Sequence, residues 1–249
     1  MDIMISEQAG VRYLHFGSTW VQGAMRIARP WALELEYTRE MMTCLLLRPE
    51  SGWPRRALLV GLGAGSLTKF LRRWRPECRL TVVEIEPRVV AAARQHFRLP
   101  EEDDRLRIAI GDGADLVATT RTRFDLILVD GYDAKAGTGR LNTLPFFLDC
   151  KGHLTDDGML VSNLLSRRKD FRRSLSAMQE AFDGRVLALA PCEGGNVVAL
   201  AAVGETVEAR LADLRVAARN LKRESDLNLL STLARLESSA TAAGGRLAL

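Results

Sequence analysis

The spacing of apolar residues changes its period along this chain, and each change marks a different kind of structure. Residues 11–29 (VRYLHFGSTWVQGAMRIAR) alternate apolar and polar positions on either side of Gly17-Ser18. That pattern predicts two strands around a tight turn, a small β-hairpin, ended by Pro30. Residues 33–47 switch to helical spacing, with Leu35, Met42, Leu45 and Leu46 among the apolar positions. Ser51-Gly52-Trp53-Pro54 reads as a turn. From residue 56 onward, short apolar runs alternate with helical ones. Strands are expected at 57–62, 80–86, 106–110, 124–130 and 158–164. Helices are expected at 66–75 with Ser66 as N-cap, at 87–97 with Pro87 in the first turn, at 143–152 and at 167–182. RVLALAP and NVVALAAV, with Pro191 to Gly195 between them, predict a closing hairpin. An amphipathic helix is expected over 205–236, and 238–249 reads as a frayed tail.

Runs such as ALLVGL and FDLILVD are apolar throughout, as strands covered on both faces are. Their alternation with helices predicts an α/β fold with a mostly parallel sheet and right-handed crossovers. Three segments follow: an N-terminal hairpin and helix (1–54), a nucleoside-binding domain (55–204), and a C-terminal helix and tail (205–249).

Composition narrows the function. The formal charge of +4 over 249 residues is mildly basic, but Arg is interspersed with Glu and Asp and no five like charges are consecutive. Nucleic acid is therefore not the expected partner. Cys44, Cys78, Cys150 and Cys192 are scattered without a C-x-x-C pair, and His15, His96 and His153 do not cluster. No metal is expected, and the thiols read as small buried hydrophobes. The first residues have neither a basic nor an apolar signal region, and no apolar run approaches the ~20 residues of a membrane span. A cytoplasmic protein is the expectation.

The chemistry lies where strands end. Gly61-Leu-Gly63-Ala-Gly65 joins a strand to a helix, where glycines allow a tight turn and the close approach of a ligand. Its spacing is G-x-G-x-G; a dinucleotide fingerprint needs glycine where Ser66 stands, which disfavours NAD and FAD. Glu84 ends the next strand, close to the distance of about 20 residues at which a ribose-binding acid follows such a loop. Its carboxylate could accept from both ribose hydroxyls, although strand ends also carry solvated Glu. Asp112 and Gly113 end a third strand, suited to an adenine amino group and its ring, or to an Asp-Gly turn before a cap at Asp115. Asp130 and Asp133 follow a fourth strand. Two carboxylates at a ligand edge suit an amine, one orienting a nitrogen that loses its proton and the other holding a second ammonium; a turn and an N-cap are the alternative.

In this order the residues resemble the spermidine synthase family, the polyamine aminopropyltransferases, over about residues 11–200. Arg12-Tyr-Leu-His-Phe-Gly, Val21-Gln22-Gly-Ala-Met25 and Leu35-Glu-Tyr37 resemble its N-terminal hairpin and substrate-side helix, and Leu141 to Phe147 resembles its post-loop helix. The resemblance implies a methyltransferase-type, Rossmann-like sheet with a small N-terminal β-hairpin region. It implies a nucleoside pocket of Gln22, Gly61, Gly63, Gly65, Glu84, Asp112 and Gly113. Asp130, helped by Tyr37, would orient and deprotonate the attacking amine, and Asp133 would grip the amine chain. The co-substrate would be decarboxylated S-adenosylmethionine or S-adenosylmethionine itself, with no metal. The chain would form a homodimer.

Some residues depart from that family. Its glycine loop carries Asp where Ala64 stands, and that Asp binds the donor's aminopropyl ammonium. Thr38 and Arg39 follow Tyr37 where the family has a polar residue and then Glu; an Arg39 facing the pocket would repel a polyamine. The loop after Asp133 lacks the family's Gly-Pro. Three readings follow: aminopropyl transfer to an amine, methyl transfer from S-adenosylmethionine, and a non-catalytic nucleoside-binding homologue. Affinity for the two donors separates them.

Overall fold

Three antiparallel strands open the chain: β1 (Ile3–Gln8), β2 (Val11–Phe16) and β3 (Val21–Arg26), in the order β1-β2-β3. The expected hairpin is β2–β3; β1 adds a strand that the sequence pattern did not mark. A computed structural model describes residues 2–50, 52–133, 137–192, 194–237 and 245–249. Ser51 of the expected turn, residues 134–136 after Asp133, Glu193 of the closing hairpin and 238–244 of the tail lie outside them. The single helix expected at 33–47 is two, α1 (Glu36–Met41) and α2 (Cys44–Leu47). Every side chain from Glu40 to Leu47 is buried, so apolar spacing carries on across the break between them.

The apolar runs then form one sheet. Its strands are β4 (Arg56–Val60), β5 (Arg79–Glu84), β6 (Leu106–Ile110), β7 (Phe124–Val129), β8 (Leu154–Leu165), β9 (Val186–Ala188) and β10 (Asn196–Ala202). They lie in the order β6-β5-β4-β7-β8-β10-β9. β4 to β8 are parallel, and β10 runs antiparallel to both β8 and β9. This is the α/β, mostly parallel arrangement that the sequence predicts. Both faces are covered: Leu59, Val82 and Leu128 join one core cluster, while Leu58, Val60, Val83 and Ile127 join the other. Alternate side chains thus serve opposite cores, which is why these strands read as unbroken apolar runs.

Helices α3 (Ser66–Trp74), α4 (Pro87–His96), α5 (Gly113–Thr119), α6 (Leu144–Gly152) and α7 (Phe171–Ala181) complete the layers. Ser66 is not the cap of α3. Gly65 holds that position with φ +66, and the Ser66 hydroxyl instead donates to Ala24 O at 3.0 Å, tying α3 to β3. The N-terminal sheet is therefore seated on the glycine loop.

The C-terminal segment also differs from expectation. It contains β11 (Glu208–Arg210), α8 (Leu211–Ser225) and α9 (Leu230–Glu237) in place of one helix. Asp226, left-handed at φ +60, ends α8. Within the expected tail, β12 (Arg246–Ala248) pairs with β11, and Leu247 and Leu249 are buried. Burying those leucines holds the end in place. One core cluster runs from Leu14 and Met25 through the sheet to Leu236 and Leu249.

Candidate active site

The parallel strands end on one edge, where the register aligns Val60 with Val83 and Val129, and Glu84 with Ile110. The chain order reverses at β4, whose neighbours are β5 and β7, and a cleft opens at such a point. Here it is a cavity of about 1060 Å³. Gln22, Tyr37, Gly61, Gly63 and Glu84 line it, as do Asp112, Gly113, Asp130 and Asp133. Gly65 does not; a Cβ there would lie 2.8 Å from Leu99 Cδ1.

The glycines answer first to the protein itself. Gly61 sits at φ +97, and a Cβ there would meet the carbonyl oxygen of Asp130 at 2.2 Å. A Cβ on Gly113 would meet Val60 Cγ1 at 2.4 Å. Both keep strand ends close together. Ala64 is buried and lies outside the cavity lining; a Cβ on Gly23 of β3 would come within 2.6 Å of its own Cβ. Position 64 therefore packs against the N-terminal sheet.

Glu84 is buried at the end of β5. One carboxylate oxygen accepts from Leu62 N at 2.9 Å and the other from Glu86 N at 3.0 Å. Burial raises its pKa, and these backbone donors oppose the rise. The acid is fixed to the glycine loop while still facing the cavity. Beside it Ile85 is an exposed aliphatic side chain on the cavity wall, fit to cover a flat ring. Its signal in the sequence was only an aliphatic residue placed beyond its strand. Asp112 caps α5 through Ala114 N at 2.8 Å and accepts from Arg140 at 2.8 Å. The Arg140 hydrogen bond, foremost, lowers its pKa.

Asp130 holds the centre. Tyr37 donates its hydroxyl to Asp130 Oδ2 at 3.0 Å, and Asn163 donates Nδ2 to Oδ1 at 2.9 Å. Burial raises the Asp130 pKa, and both donors pull it back. Burial and the neighbouring carboxylate push the Tyr37 phenol well above its ordinary value, so it stays a donor. Asn163 was missed from the sequence, where its only sign is Ser162-Asn163 interrupting an apolar strand. The two face opposite ways: Ser162 bonds Asn142 at 3.0 Å, and Asn163 meets Asp130. The Asn163 Oδ1 is buried and has no hydrogen-bond partner among the described residues. Asp133 accepts from Gly137 N at 2.7 Å within its own loop.

A family model described as the spermine/spermidine synthase domain matches residues 35–192. The chain belongs to the spermine/spermidine synthase family. It is 36% identical over 238 residues to a polyamine aminopropyltransferase of Neisseria meningitidis, covering 96% of this chain and 90% of that one. It is 38% identical over 200 residues to a polyamine aminopropyltransferase of Chromobacterium violaceum, covering 80% and 76%. Spermidine synthase from Thermotoga maritima superposes with a TM-score of 0.65 at 20% identity, covering 94% of this chain and 83% of that one. That likeness bears on the fold. Among the described residues no group of three His, Cys, Asp or Glu side chains is placed to hold a metal ion. No described helix is long and apolar enough to cross a membrane.

Proposed function

We propose that this family member transfers the aminopropyl group of decarboxylated S-adenosylmethionine to an amine. The observation that carries the reading is the Tyr37–Asp130–Asn163 constellation with its orphaned Asn163 Oδ1. An unpartnered buried acceptor beside a buried carboxylate is costly unless a donor fills it. An ammonium supplies several N–H groups and the matching charge.

In this reading Glu84 holds the ribose hydroxyls, Gln22, Gly61 and Gly63 cup the nucleoside, and Asp112 and Gly113 meet the adenine. Gly65 shapes the loop. Asp130 takes a proton from the attacking ammonium, whose nitrogen lone pair then displaces the sulfonium at the adjoining carbon. A C–N bond forms and a C–S bond breaks, and the electron pair stays on sulfur as a neutral thioether, which needs no acid. Much of the remaining rate comes from alignment. Asp133 holds the far end of the amine. Ala64 packs on Gly23 outside the cavity lining and offers the donor's ammonium no acceptor.

The test is to offer both donors with an aliphatic diamine and weigh the product. Added aminopropyl mass from the decarboxylated donor, with release of methylthioadenosine, is expected. A methylated amine from ordinary S-adenosylmethionine would establish the methyltransferase reading, and binding of neither donor the non-catalytic one. A cytoplasmic homodimer belongs to the same proposal, and sedimentation at micromolar concentration decides the dimer.

Asn163 gives a second check. It and Tyr37 donate to the charged form of Asp130, so removing either raises the Asp130 pKa further. The acid limb of kcat/KM for the amine should move to higher pH in Asn163→Ala. An unmoved limb would show that Asp130 is not the titrating base.

A further inference from the structure

The charges on the acceptor side of the cavity do not suit a simple polycation. α1 packs against β8 and β10 there, and Arg39 on α1 faces the cavity together with Arg167, which follows β8. The other charged residues of this region are largely matched. Arg26 donates Nε to Glu34 at 3.0 Å, Arg235 donates to Glu36 at 2.6 Å, and Arg168 grips Asp170 at 2.9 and 2.8 Å. Asp130 and Asp133 face the cavity with carboxylates suited to ammonium groups. Arg39 and Arg167 form no ion pair among the described residues.

Arg39 is held in place. Its Nη1 donates to Leu33 O at 3.1 Å and Glu34 O at 2.6 Å, which leaves Nε and Nη2 without partners among the described residues. Arg167 lies across Gly195, left-handed at φ +84, where a Cβ would come within 3.0 Å of its Nε. A planar guanidinium oriented by backbone carbonyls fits a carboxylate. An all-cationic acceptor would meet both positive charges uncompensated.

We propose that the acceptor is an aliphatic diamine that also carries a carboxylate. This rests on the aminopropyl-transfer reading of the same site. Its attacking amine sits at Asp130 and Asn163 Oδ1, its second ammonium at Asp133, and its carboxylate at Arg39 and Arg167. The sheet order sets the direction: Glu84 ends β5, Asp130 directly follows β7, and Arg167 lies over the start of β10, two strands further from the ribose. Two strand spacings are about 10 Å, within reach of an extended five-carbon chain. The bond changes are those given above, with the carboxylate a spectator.

A carboxylate could also come from an undecarboxylated donor, so the experiment separates the sources. Purified protein is given decarboxylated S-adenosylmethionine with either 1,4-diaminobutane or 2,5-diaminopentanoate, and products are weighed. We expect kcat/KM at least tenfold higher for the carboxylated diamine. Arg167→Met and Arg39→Met should each bring that ratio towards one. Arg167 is exposed and makes no hydrogen bond among the described residues, so its replacement does not threaten the fold. A wild-type preference for 1,4-diaminobutane that neither substitution alters overturns the acceptor assignment and leaves aminopropyl transfer standing. Transfer to neither acceptor overturns both. Lost affinity for ordinary S-adenosylmethionine in the variants, with an unchanged acceptor ratio, assigns the carboxylate to the donor and overturns the proposal.

Discussion

Asp130→Asn should slow transfer about 10²–10⁴-fold while donor affinity stays within a few-fold. Its backbone N donates to Val60 O at 2.8 Å, one residue past the end of β7, so the position is fixed by the sheet. Asparagine fills the same volume and can still accept the Tyr37 hydroxyl through its amide oxygen. What it cannot do is take a proton from an ammonium, and it brings no charge to attract one. The proposed donor contacts, beyond the ends of β4, β5 and β6, are untouched. The expected result is a variant that melts near the wild-type temperature, binds donor by calorimetry and releases almost no thioether in a single-turnover assay. Full activity would remove Asp130 as the base, and with it the reason for the orphaned Asn163 Oδ1.

The parts legible in the sequence are those set by local pattern. β4 and β7 are enclosed by two cores, so they appear as apolar runs ended by glycine or aspartate, and the cavity-lining acids follow those ends. β1 escaped because its outward positions are exposed and Ile3 and Ile5 are only partly buried. The break between α1 and α2 escaped because residues on every side of it are buried. Asn163 lies 33 residues from Asp130 and Tyr37 lies 93 away, so their meeting belongs to the topology. Gly61 shows a further limit. Its glycine was readable as a space for ligand, whereas the atom nearest a Cβ there is the Asp130 carbonyl oxygen. The same residue thus fixes where the proposed base stands.

A contact between residues 199 positions apart in the sequence yields the largest expected effect on stability. Arg235 on α9 reaches α1, where it donates to Glu36 at 2.6 Å and forms an ion pair with Glu40. Glu40 is fully buried at 0% exposure, while Arg235 is 34% exposed, so the pair is shielded on its acidic side. Removing one partner of such a pair leaves a buried charge and costs about 3–5 kcal/mol. Arg235→Met should therefore lower the melting temperature by on the order of 10 °C for a chain of this size. Replacing both, as Glu40→Met with Arg235→Met, removes the stranded charge and should recover most of the loss. A double variant as unstable as the single one would mean that Arg235 acts through packing alone. Activity gives an independent reading, because α1 also carries Tyr37 and Arg39. With α1 loosened, KM for the amine should rise several-fold while affinity for the donor, whose proposed contacts are on the glycine loop and β5, changes little. In a Tyr37→Phe, Arg39→Met background the same Arg235 substitution should lose its effect on KM and keep its effect on stability, since the two consequences travel through different groups on one helix.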